Sequence, residues 1–400
     1  MGQSPHKPEI FVAPGNAGTA QAAHNVDISA ADIPALLDFA RENKIDFAFV
    51  GSEAPLALGI VDEFEAHGMP VFGPRKGAAR IEASKVFAKE LMLKHRIPCA
   101  NSQSFSTYDE AAAYVEAQGP PLVIKADGLA AGKGVTVAQT IEEALDALKD
   151  ILQDKVFGEA GDKVVIEECL TGREMSFFAF TDDKTVLPMV PACDYKRVFD
   201  GGLGPNTGGM GSYSPPEFYT ATLGAHVMQT IMEPTVTALW DEGDPYRGVL
   251  YGGLMMTPDG PKVIEFNARL GDPETQVVLP RLASDLVDIA QAVIARRLDK
   301  ALVAWHHDAC VGVVLTSGGY PGNYRTGYRI SGLDELDEDV MVFHAGTKLS
   351  EDGEVLTAGG RVLTVVARGE TLSAAREKVY NNVSRIKFAG MHYRKDIALV

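Results

Sequence analysis

The sequence has 400 residues, of which 46% are hydrophobic and 23% are charged, and its formal net charge at pH 7 is −17. A chain of this length exceeds a single hydrophobic core, so two to four domains are expected. The acidic balance argues against a nucleic-acid partner, because binding DNA or RNA requires a basic face.

Cysteine usage and hydropathy narrow the class of protein further. The four cysteines, Cys99, Cys169, Cys193 and Cys310, are scattered and form no C-x-x-C pair. This pattern is typical of reduced thiols in the cytoplasm and argues against a disulfide framework or a zinc site. No run of residues is long and apolar enough to predict a membrane span. We therefore predict a cytoplasmic protein with neither a nucleic-acid nor a membrane partner.

Residues 1–98 alternate strand-like and helix-like segments. Strands are predicted in EIFVAPGNAG, IDFAFVGSEAPL and MPVFGP, and helices in DIPALLDFARENK, with Asp32 as N-cap, and in LGIVDEFEAHG. A further helix is predicted over 84–95. The pattern indicates an N-terminal parallel sheet whose loops, 14–19, 51–56 and 73–76, share one edge. From these loops we predict four substrate-binding residues: Asn16, Gly18, Thr19 and Glu53.

Residues 99–169 contain a helix, a hairpin, a second helix and a strand. The stretch KADGLAAGKGVTV, 125–137, is predicted to form the hairpin tip. It is not a P-loop, because Gly128 and Gly132 enclose only three residues and Gly134 follows Lys133 where a Ser or Thr is required. Its glycines and lysines still favour an anion. The residues here that we predict to bind a phosphate are Lys125, Gly128, Gly132, Lys133 and Gly134.

The stretch KVIEFNARLGDPE, 262–274, carries the predicted metal site. On a strand, Glu265, Asn267 and Arg269 share one face and Ile264, Phe266 and Ala268 the other. A carboxylate and an amide two residues apart offer oxygen ligands to a hard cation beside nucleotide phosphates. Arg269 can bind a phosphate or carboxylate, and Asp272 extends the polar cluster. The alternative is the solvated outer face of a sheet.

Two more stretches are candidates for binding. In VVIEECLTGREMS, 164–176, Glu167, Glu168 and Leu170 could face an adenine and Glu174 a ribose, although acidic strand ends are usually only solvated.

In DYKRVFDGGLGPNTGGMGSYSP, 194–215, six glycines between 201 and 211 indicate a backbone wrapped on a ligand rather than a loose loop. The predicted substrate-binding residues here are Asp194, Lys196, Arg197, Asn206, Gly208 and Gly209, joined by Arg269 and Asp272. Arg269 and Lys196 are predicted to be catalytic.

The ordered set of motifs resembles the phosphoribosylamine–glycine ligase (glycinamide ribonucleotide synthetase) family of the ATP-grasp superfamily. The matching stretches are VAPGNAGT, VGSEAPL, VIKADGLAAGKGV, GPNTGGMGSYSP, VIEFNARLGDPETQ, GGYPGNYRTG and HAGTK. They cover nearly the whole chain, and GPNTGGMG with RLGDPETQ is specific to the ligase. The resemblance implies a two-lobed ATP-grasp core between the N-terminal domain and a small β-rich C-terminal domain. We place these parts at 1–98, 99–169, 170–305 and 306–400.

The resemblance also implies roles and chemistry. Lys85 and Lys125 would contact ATP phosphates, Glu167 and the backbone of 168–170 would hold adenine, and Glu174 would hold ribose. Glu265 and Asn267 would bind Mg²⁺ or Mn²⁺. Glycine would attack the γ-phosphate of ATP, and the amine of 5-phosphoribosylamine would attack the resulting glycyl phosphate. We expect a monomer or weak dimer whose small-molecule substrates are ATP, glycine and 5-phosphoribosylamine.

Members of the family begin with a strand, a glycine loop reading like GxGGREHA, and a helix. The sequence here starts with MGQSPHKPEIFVAPG, which corresponds to the end of that helix. We therefore expect the first sheet to lack its first strand–loop–helix, and the chain to bind ATP but ligate poorly, with the defect largest for phosphoribosylamine.

Two rival functions remain open from sequence. Another ATP-grasp ligase or carboxylase shares the glycine–lysine hairpin, but GPNTGGMG argues against it. A non-catalytic nucleotide-binding protein would have lost the metal pair or the phosphate lysines, and Lys85, Lys125, Glu265 and Asn267 are all present.

Overall fold

The structure is a computed structural model that describes residues 1–129 and 134–400. The described strands are Phe11–Val12 (β1), His24–Asn25 (β2), Ala48–Phe49 (β3), Val71–Phe72 (β4), Ser102–Phe105 (β5), Leu122–Ala126 (β6), Val135–Ala138 (β7), Val164–Glu168 (β8), Arg173–Asp182 (β9), Val186–Pro188 (β10), Cys193–Asp194 (β11), Arg197–Phe199 (β12), Leu203–Asn206 (β13), Gly211–Ser214 (β14), Arg247–Thr257 (β15), Gly260–Asn267 (β16), Ala309–Thr316 (β17), Val340–His344 (β18), Thr347–Leu349 (β19), Val355–Thr357 (β20) and Arg361–Gly369 (β21).

The described α-helices are Ile33–Glu42 (α1), Glu53–Leu58 (α2), Ile60–Ala66 (α3), Lys76–Ala83 (α4), Lys85–Lys94 (α5), Tyr108–Gln118 (α6), Ile141–Leu148 (α7), Ala221–Val227 (α8), Glu233–Asp241 (α9), Thr275–Val278 (α10), Leu286–Ile294 (α11) and Leu372–Val383 (α12). Outside 130–133, no helix combines the length and apolar character needed to cross a membrane. All four cysteines are free thiols.

The chain divides into two compact units that interleave along the sequence. We call them the terminal unit, which comprises Met1–Asp46, Met189–Tyr219 and Gly271–Val400, and the central unit, which comprises Phe47–Pro188 and Thr220–Leu270. Each unit is therefore built from segments that are distant in sequence. The four-part division proposed from sequence remains a prediction.

The first sheet of the central unit has the strand order β5-β8-β6-β7 and is antiparallel throughout. Strands β6 and β7 form the predicted hairpin, with Lys125 opposite Val135. Helices α6 and α7 bury their apolar faces on this sheet, in a core that includes Val115, Leu148 and Ile166. The hairpin base is thus fixed by a packed layer of helices.

The second sheet of the central unit has the order β10-β9-β15-β16. Between β15 and β16 the register shifts, because Gly253 pairs with Glu265 and Leu254 pairs with Val263. Ile264 is therefore the extra residue of a β-bulge, and the two-residue alternation breaks there. The predicted alternation is confirmed for Phe266 and Ala268, which are both buried, and is wrong for Ile264.

The N-terminal βα pattern is only partly as predicted. The pairing of β3 with β4 is parallel, as expected, but β1 pairs with β2, a strand that the sequence did not reveal. The predicted loop 51–56 is helical from Glu53, and the predicted helix 58–68 starts only at Ile60. Gly59, with φ 95°, separates α2 from α3 in a left-handed conformation that glycine adopts without strain.

Two helices start where predicted, and a side chain caps each start; of the two caps, only Asp32 was predicted. The Asp32 carboxylate accepts a hydrogen bond from the Ala35 amide at 3.2 Å and begins α1. The Ser84 hydroxyl accepts one from the Phe87 amide at 3.1 Å and begins α5. Each side chain satisfies a backbone donor that has no partner within its own helix.

The main sheet of the terminal unit has the order β11-β14-β17-β21-β18 and is antiparallel. Its centre is formed by β17 and β21, and α12 packs on it. The C-terminal residues are rich in β-structure, as predicted. Strands β11 and β14 join from residues 193–214, which sequence reasoning did not place here. The glycine-rich segment is therefore attached to a buried sheet.

We expect Leu315→Ala to destabilise the terminal unit. Leu315 is fully buried on β17, and removing such a side chain costs about 2–5 kcal/mol through lost burial and the cavity left behind. Leu302→Ala is the matched control, because Leu302 is 82% exposed. Denaturant unfolding should show a lower midpoint for Leu315→Ala and an unchanged one for Leu302→Ala. Equal midpoints would contradict the core assignment.

Candidate active site

Lys125 lies at the centre of the candidate nucleotide site. It is near the end of β6, and its side chain is 4% exposed. Its Nζ lies 3.0 Å from Glu167 Oε1 on β8 and donates a hydrogen bond to the Ile264 carbonyl at 2.9 Å. That carbonyl belongs to the bulge residue of β16. The lysine therefore joins the two sheets of the central unit.

The start of α5 is tied to the base of the glycine–lysine hairpin. Asp127 accepts hydrogen bonds from the Val86 amide at 3.1 Å and from the Ser84 hydroxyl at 3.3 Å. Lys85 Nζ donates to the Gly128 carbonyl at 3.0 Å. Burial lowers the pKa of Lys85. Two predicted phosphate ligands, Lys85 and Lys125, are thus held beside one hairpin.

Two of the three predicted phosphate-binding glycines of the hairpin, Gly128 and Gly134, lie within the described residues. Gly128 has φ 105°, and a Cβ there would lie 3.0 Å from the Ala160 side chain, so the position favours glycine. The Gly134 carbonyl accepts from the Ala126 amide at 2.8 Å and closes the hairpin. Gly132 and Lys133, two more predicted ATP-binding residues, lie outside the described residues.

The predicted adenine segment follows the end of β8. Both carboxylates there contact the protein itself: Glu167 faces lysines, and Glu168 accepts from the Asn101 amide at 3.0 Å and from its side chain at 3.1 Å. The backbone hydrogen bond from Asn101 is the main cause of the lowered pKa of Glu168. Leu170 is half-buried beyond the strand, and Glu174 is exposed on β9.

Glu265 and Asn267 are the predicted metal ligands. Both are half-buried on β16, where their backbones pair with β15. Neither side chain forms a hydrogen bond or an ion pair with another residue in 1–129 or 134–400. Their oxygens are therefore available, and a carboxylate with an amide oxygen is a donor set that Mg²⁺ accepts. The residues present fit a divalent cation.

Arg269 is held between two carboxylates. Its Nε donates to Glu53 Oε2 at 2.8 Å, and its Nη2 lies 3.0 Å from Glu82 Oε1. Glu82 also accepts from the Ala268 amide at 2.7 Å. Burial raises the pKa of Glu82 to about 7, against the opposing effect of Arg269. The structure brings together the predicted Glu53 and Arg269 and adds Glu82, for which the sequence offered no motif.

In the terminal unit, the loop 14–19 folds on itself. The Asn16 side-chain oxygen accepts from the Gly18 and Thr19 amides, both at 2.9 Å, and its Nδ2 donates to the His344 carbonyl at 2.8 Å. A Cβ on Gly18 would meet the His344 side chain at 2.6 Å. The motifs VAPGNAGT and HAGTK therefore meet. Burial lowers the pKa of His344.

The glycine-rich segment is a hairpin of β12 and β13 followed by a tight turn. Lys196 Nζ lies 2.9 Å from Asp194 Oδ1, and Arg197 Nη1 donates to the Gly204 carbonyl at 2.6 Å. Asn206 pairs with Arg197 across the hairpin and is exposed. Gly209 has φ 112°, and a Cβ there would lie 2.3 Å from Pro273. Glycine is required at this position because a Cβ would clash with Pro273 and because the positive φ favours glycine.

Residues far along the sequence anchor this segment. Arg361 donates to the Gly208 carbonyl at 2.6 Å and lies 2.7 Å from Asp272 Oδ2, so it joins two predicted substrate residues. Arg394 donates to the Arg197 carbonyl at 2.9 Å and is paired with Asp396. Although burial opposes it, hydrogen bonds from Arg394 and the Gly201 amide lower the pKa of Asp396 to about 2. Neither arginine stood out in the sequence.

Comparison with known proteins supports one family throughout. Models of phosphoribosylglycinamide synthetase match as the N domain over residues 1–82, the ATP-grasp (A) domain over 83–275 and the C domain over 310–400. The phosphoribosylamine–glycine ligase of Halalkalibacterium halodurans is 54% identical, covering 99% of this chain and 92% of the relative. That of Salmonella typhimurium is 51% identical, covering 99% and 93%.

Solved structures agree. Phosphoribosylamine–glycine ligase from Thermotoga maritima superposes with a TM-score of 0.85 at 34% identity, covering 98% of this chain and 94% of the other. A Campylobacter jejuni biotin carboxylase has a TM-score of 0.74 at 16% identity, covering 97% and 87%, which shows a shared fold only. The predicted mixed α/β ATP-grasp fold is confirmed. By its domain matches and its relatives alike, the chain belongs to the phosphoribosylamine–glycine ligase family.

Proposed function

We propose that the chain joins glycine to 5-phosphoribosylamine at the expense of ATP. A glycine carboxylate oxygen attacks the γ-phosphorus, giving glycyl phosphate and ADP. The amine of phosphoribosylamine then attacks the acyl carbon, phosphate leaves, and the nitrogen loses a proton to give glycinamide ribonucleotide. The observation that carries the proposal is the pair of side chains Glu265 and Asn267, whose oxygens have no partner among the described residues and which lie in the same unit as Lys85 and Lys125. The chain is also 54% identical to a ligase of this name.

For the nucleotide, Lys85 and Lys125 contact phosphates and the hairpin glycines Gly128 and Gly134 approach them through their backbone. The contacts at the hairpin base support this, because they fix both ammonium groups before ligand arrives. The same role is proposed for Gly132 and Lys133. Adenine lies against the backbone of 168–170 beside Glu167, and Glu174 accepts from ribose hydroxyls.

For the cation, Glu265 and Asn267 hold Mg²⁺, with Mn²⁺ as a substitute. A bound divalent ion would neutralise charge on the β- and γ-phosphates. The protein's own part is to present both oxygens from alternate residues of one strand, beyond the bulge at Ile264. Replacing Mg²⁺ by Mn²⁺ in the activity assay decides between the two ions.

Arg269 positions a carboxylate or phosphate oxygen of a reactant. Glu53 and Glu82 hold its guanidinium, and the clamp supports the proposal because an oriented guanidinium binds such groups bidentately. In the terminal unit, Lys196 is the second catalytic cation, and its side chain is 42% exposed beside Asp194.

The phosphoribosylamine segments are those already predicted in the terminal unit. They are Asn16, Gly18, Thr19, Asp194, Arg197, Asn206, Gly208, Gly209 and Asp272. Much of their side-chain hydrogen bonding is internal, so we propose that the turns they form present backbone donors to the substrate. We further propose a cytoplasmic monomer or weak dimer, in keeping with four free thiols. Sedimentation at several concentrations measures the oligomeric state.

The direct test is release of ADP in a coupled assay. ADP should form only when glycine and phosphoribosylamine are both present with ATP and Mg²⁺. ADP release that is independent of phosphoribosylamine, with no glycinamide ribonucleotide formed, would contradict the proposed ligation.

Glu265→Gln should lower turnover by on the order of 100-fold at ordinary Mg²⁺ concentrations, because a neutral amide binds the cation more weakly than a carboxylate. Asp259→Asn is the matched control, an exposed acidic residue in the turn of the same β-hairpin. Turnover is measured against Mg²⁺ concentration, with circular dichroism to confirm the fold. If Glu265→Gln turned over as fast as the wild type at every Mg²⁺ concentration, Glu265 would not be a metal ligand.

ATP with Mg²⁺ should stabilise the chain against heat, by about 2.7 kcal/mol at a ligand concentration 100 times Kd. Lys125→Ala should reduce this shift more than Lys133→Ala, because Lys125 is fixed on β6 by two contacts. Thermal unfolding with and without nucleotide measures both. Equal reductions, or no shift in the wild type, would count against the site.

Glu82 should make stability depend on pH. Its folded pKa is raised to about 7, so the folded state binds a proton that the unfolded state releases at lower pH. The stabilisation that this proton provides is present below pH 4.5 and is lost as pH rises through 7. In Glu82→Gln this loss is absent. Melting temperatures of both proteins from pH 4.5 to 8.5 should therefore diverge. Parallel curves would show that Glu82 is ionised throughout.

A further inference from the structure

Lys89 is a buried cation that the proposed chemistry does not use. It lies on α5 one helical turn after Lys85, and its side chain is 5% exposed. Its Nζ is 3.2 Å from Glu167 Oε2, while Glu167 Oε1 is 3.0 Å from Lys125 Nζ. We call Lys89, Glu167 and Lys125 the buried triad. One carboxylate therefore bridges two ammonium groups.

Charge holds the triad together more than directed hydrogen bonding does. Within the described residues, neither Lys89 Nζ nor Glu167 Oε1 makes a well-aligned hydrogen bond, although both lie at ion-pair distance from their partners. Two ammonium groups and one carboxylate leave a net charge of one positive unit. Without Lys89, Glu167 and Lys125 would form a neutral pair.

Packing alone does not explain a lysine at position 89, because the buried face of α5 is otherwise apolar. Its neighbours on the buried face of α5 include Val86, Ala88, Leu91 and Met92. Burial lowers the pKa of Lys89, and the nearby Glu167 opposes that effect. An apolar side chain of similar length would avoid the cost of desolvating the ammonium group. A buried lysine here thus points to a requirement for its charge.

We propose that Lys89 is a positioning residue for the nucleotide site: by binding the far oxygen of Glu167, it leaves Lys125 with positive charge to offer the ATP phosphates. The inference rests on the proposed contact between Lys125 and phosphate. In this role Lys89 does not need to contact the ligand. Its effect passes through the carboxylate of Glu167, which would otherwise be satisfied by Lys125 alone.

The test is a charge cycle on the triad. Lys89→Met makes the triad neutral, Glu167→Gln gives it two positive units, and the double variant restores the single positive unit of the wild type. We expect Lys89→Met to weaken binding of ATP with Mg²⁺ about tenfold, as loss of one nearby screened charge would. The double variant should recover most of that affinity. Isothermal titration calorimetry measures the affinities.

Ligand charge separates this role from a general packing defect. Lys89→Met should weaken ATP and ADP binding strongly, weaken AMP binding less, and leave adenosine binding unchanged, because adenosine carries no phosphate. In kinetics, KM for ATP should rise about tenfold while kcat stays within about threefold. Lys94→Met is the control: Lys94 ends the same helix, but its side chain is 64% exposed and pairs with Glu242.

The remaining outcomes decide whether the role of Lys89 or the phosphate contact of Lys125 is wrong. If Lys89→Met binds all four ligands as the wild type does, or weakens adenosine as much as ATP, the role of Lys89 is wrong. If Lys89→Met does not fold, the double variant decides alone: ATP affinity near that of the wild type supports the inference, and loss of ATP binding overturns it. If Lys125→Ala leaves ATP binding unchanged, the proposed phosphate contact of Lys125 fails instead.

Discussion

The ammonium group of Lys125 joins the two sheets of the central unit, and the geometry of the candidate nucleotide site depends on it. It contacts a carboxylate on β8 and a carbonyl on β16, at the bulge that precedes Glu265 and Asn267. Because a buried charge is costly unless it is matched, these contacts fix the spacing between the hairpin and the metal-ligand strand. The proposed phosphate ligands and the proposed cation ligands are thus positioned by the same contacts of Lys125.

The parts of this site that the sequence predicted are those with a local signature. The hairpin and the placement of the half-buried Glu265 and Asn267 on one strand face follow from the glycine-rich turn and the two-residue period of a strand, and the helix beginning after Ser84 was predicted over 84–95. The bulge at Ile264 was missed because it depends on pairing with β15. Glu82 was missed for a similar reason, since its partners Ala268 and Arg269 lie more than 180 residues later.

In the terminal unit, too, local sequence patterns could be predicted and contacts between distant residues could not. Glycine content marked 201–211 as unusual, but the sequence did not show what the backbone approaches. Gly209 lies against Pro273, and Gly208 lies against Arg361, which is 153 residues away. These contacts make the segment a supported hairpin. Its glycines allow close approach of protein to protein, and sequence alone cannot separate that use from close approach to a ligand.

The interleaving of the two units has a consequence for synthesis on the ribosome. The central unit has all its residues once Leu270 has been made, whereas the terminal unit needs Gly271–Val400 to cover segments made much earlier. Strand β14 pairs with β17, which follows it by about a hundred residues, and β17 in turn needs β21. Until β17 emerges, β14 lacks its pairing partner, and until β21 emerges, β17 has an unpaired edge. The central unit, which carries the proposed nucleotide site, is therefore complete on the ribosome while the terminal unit still lacks its last segment.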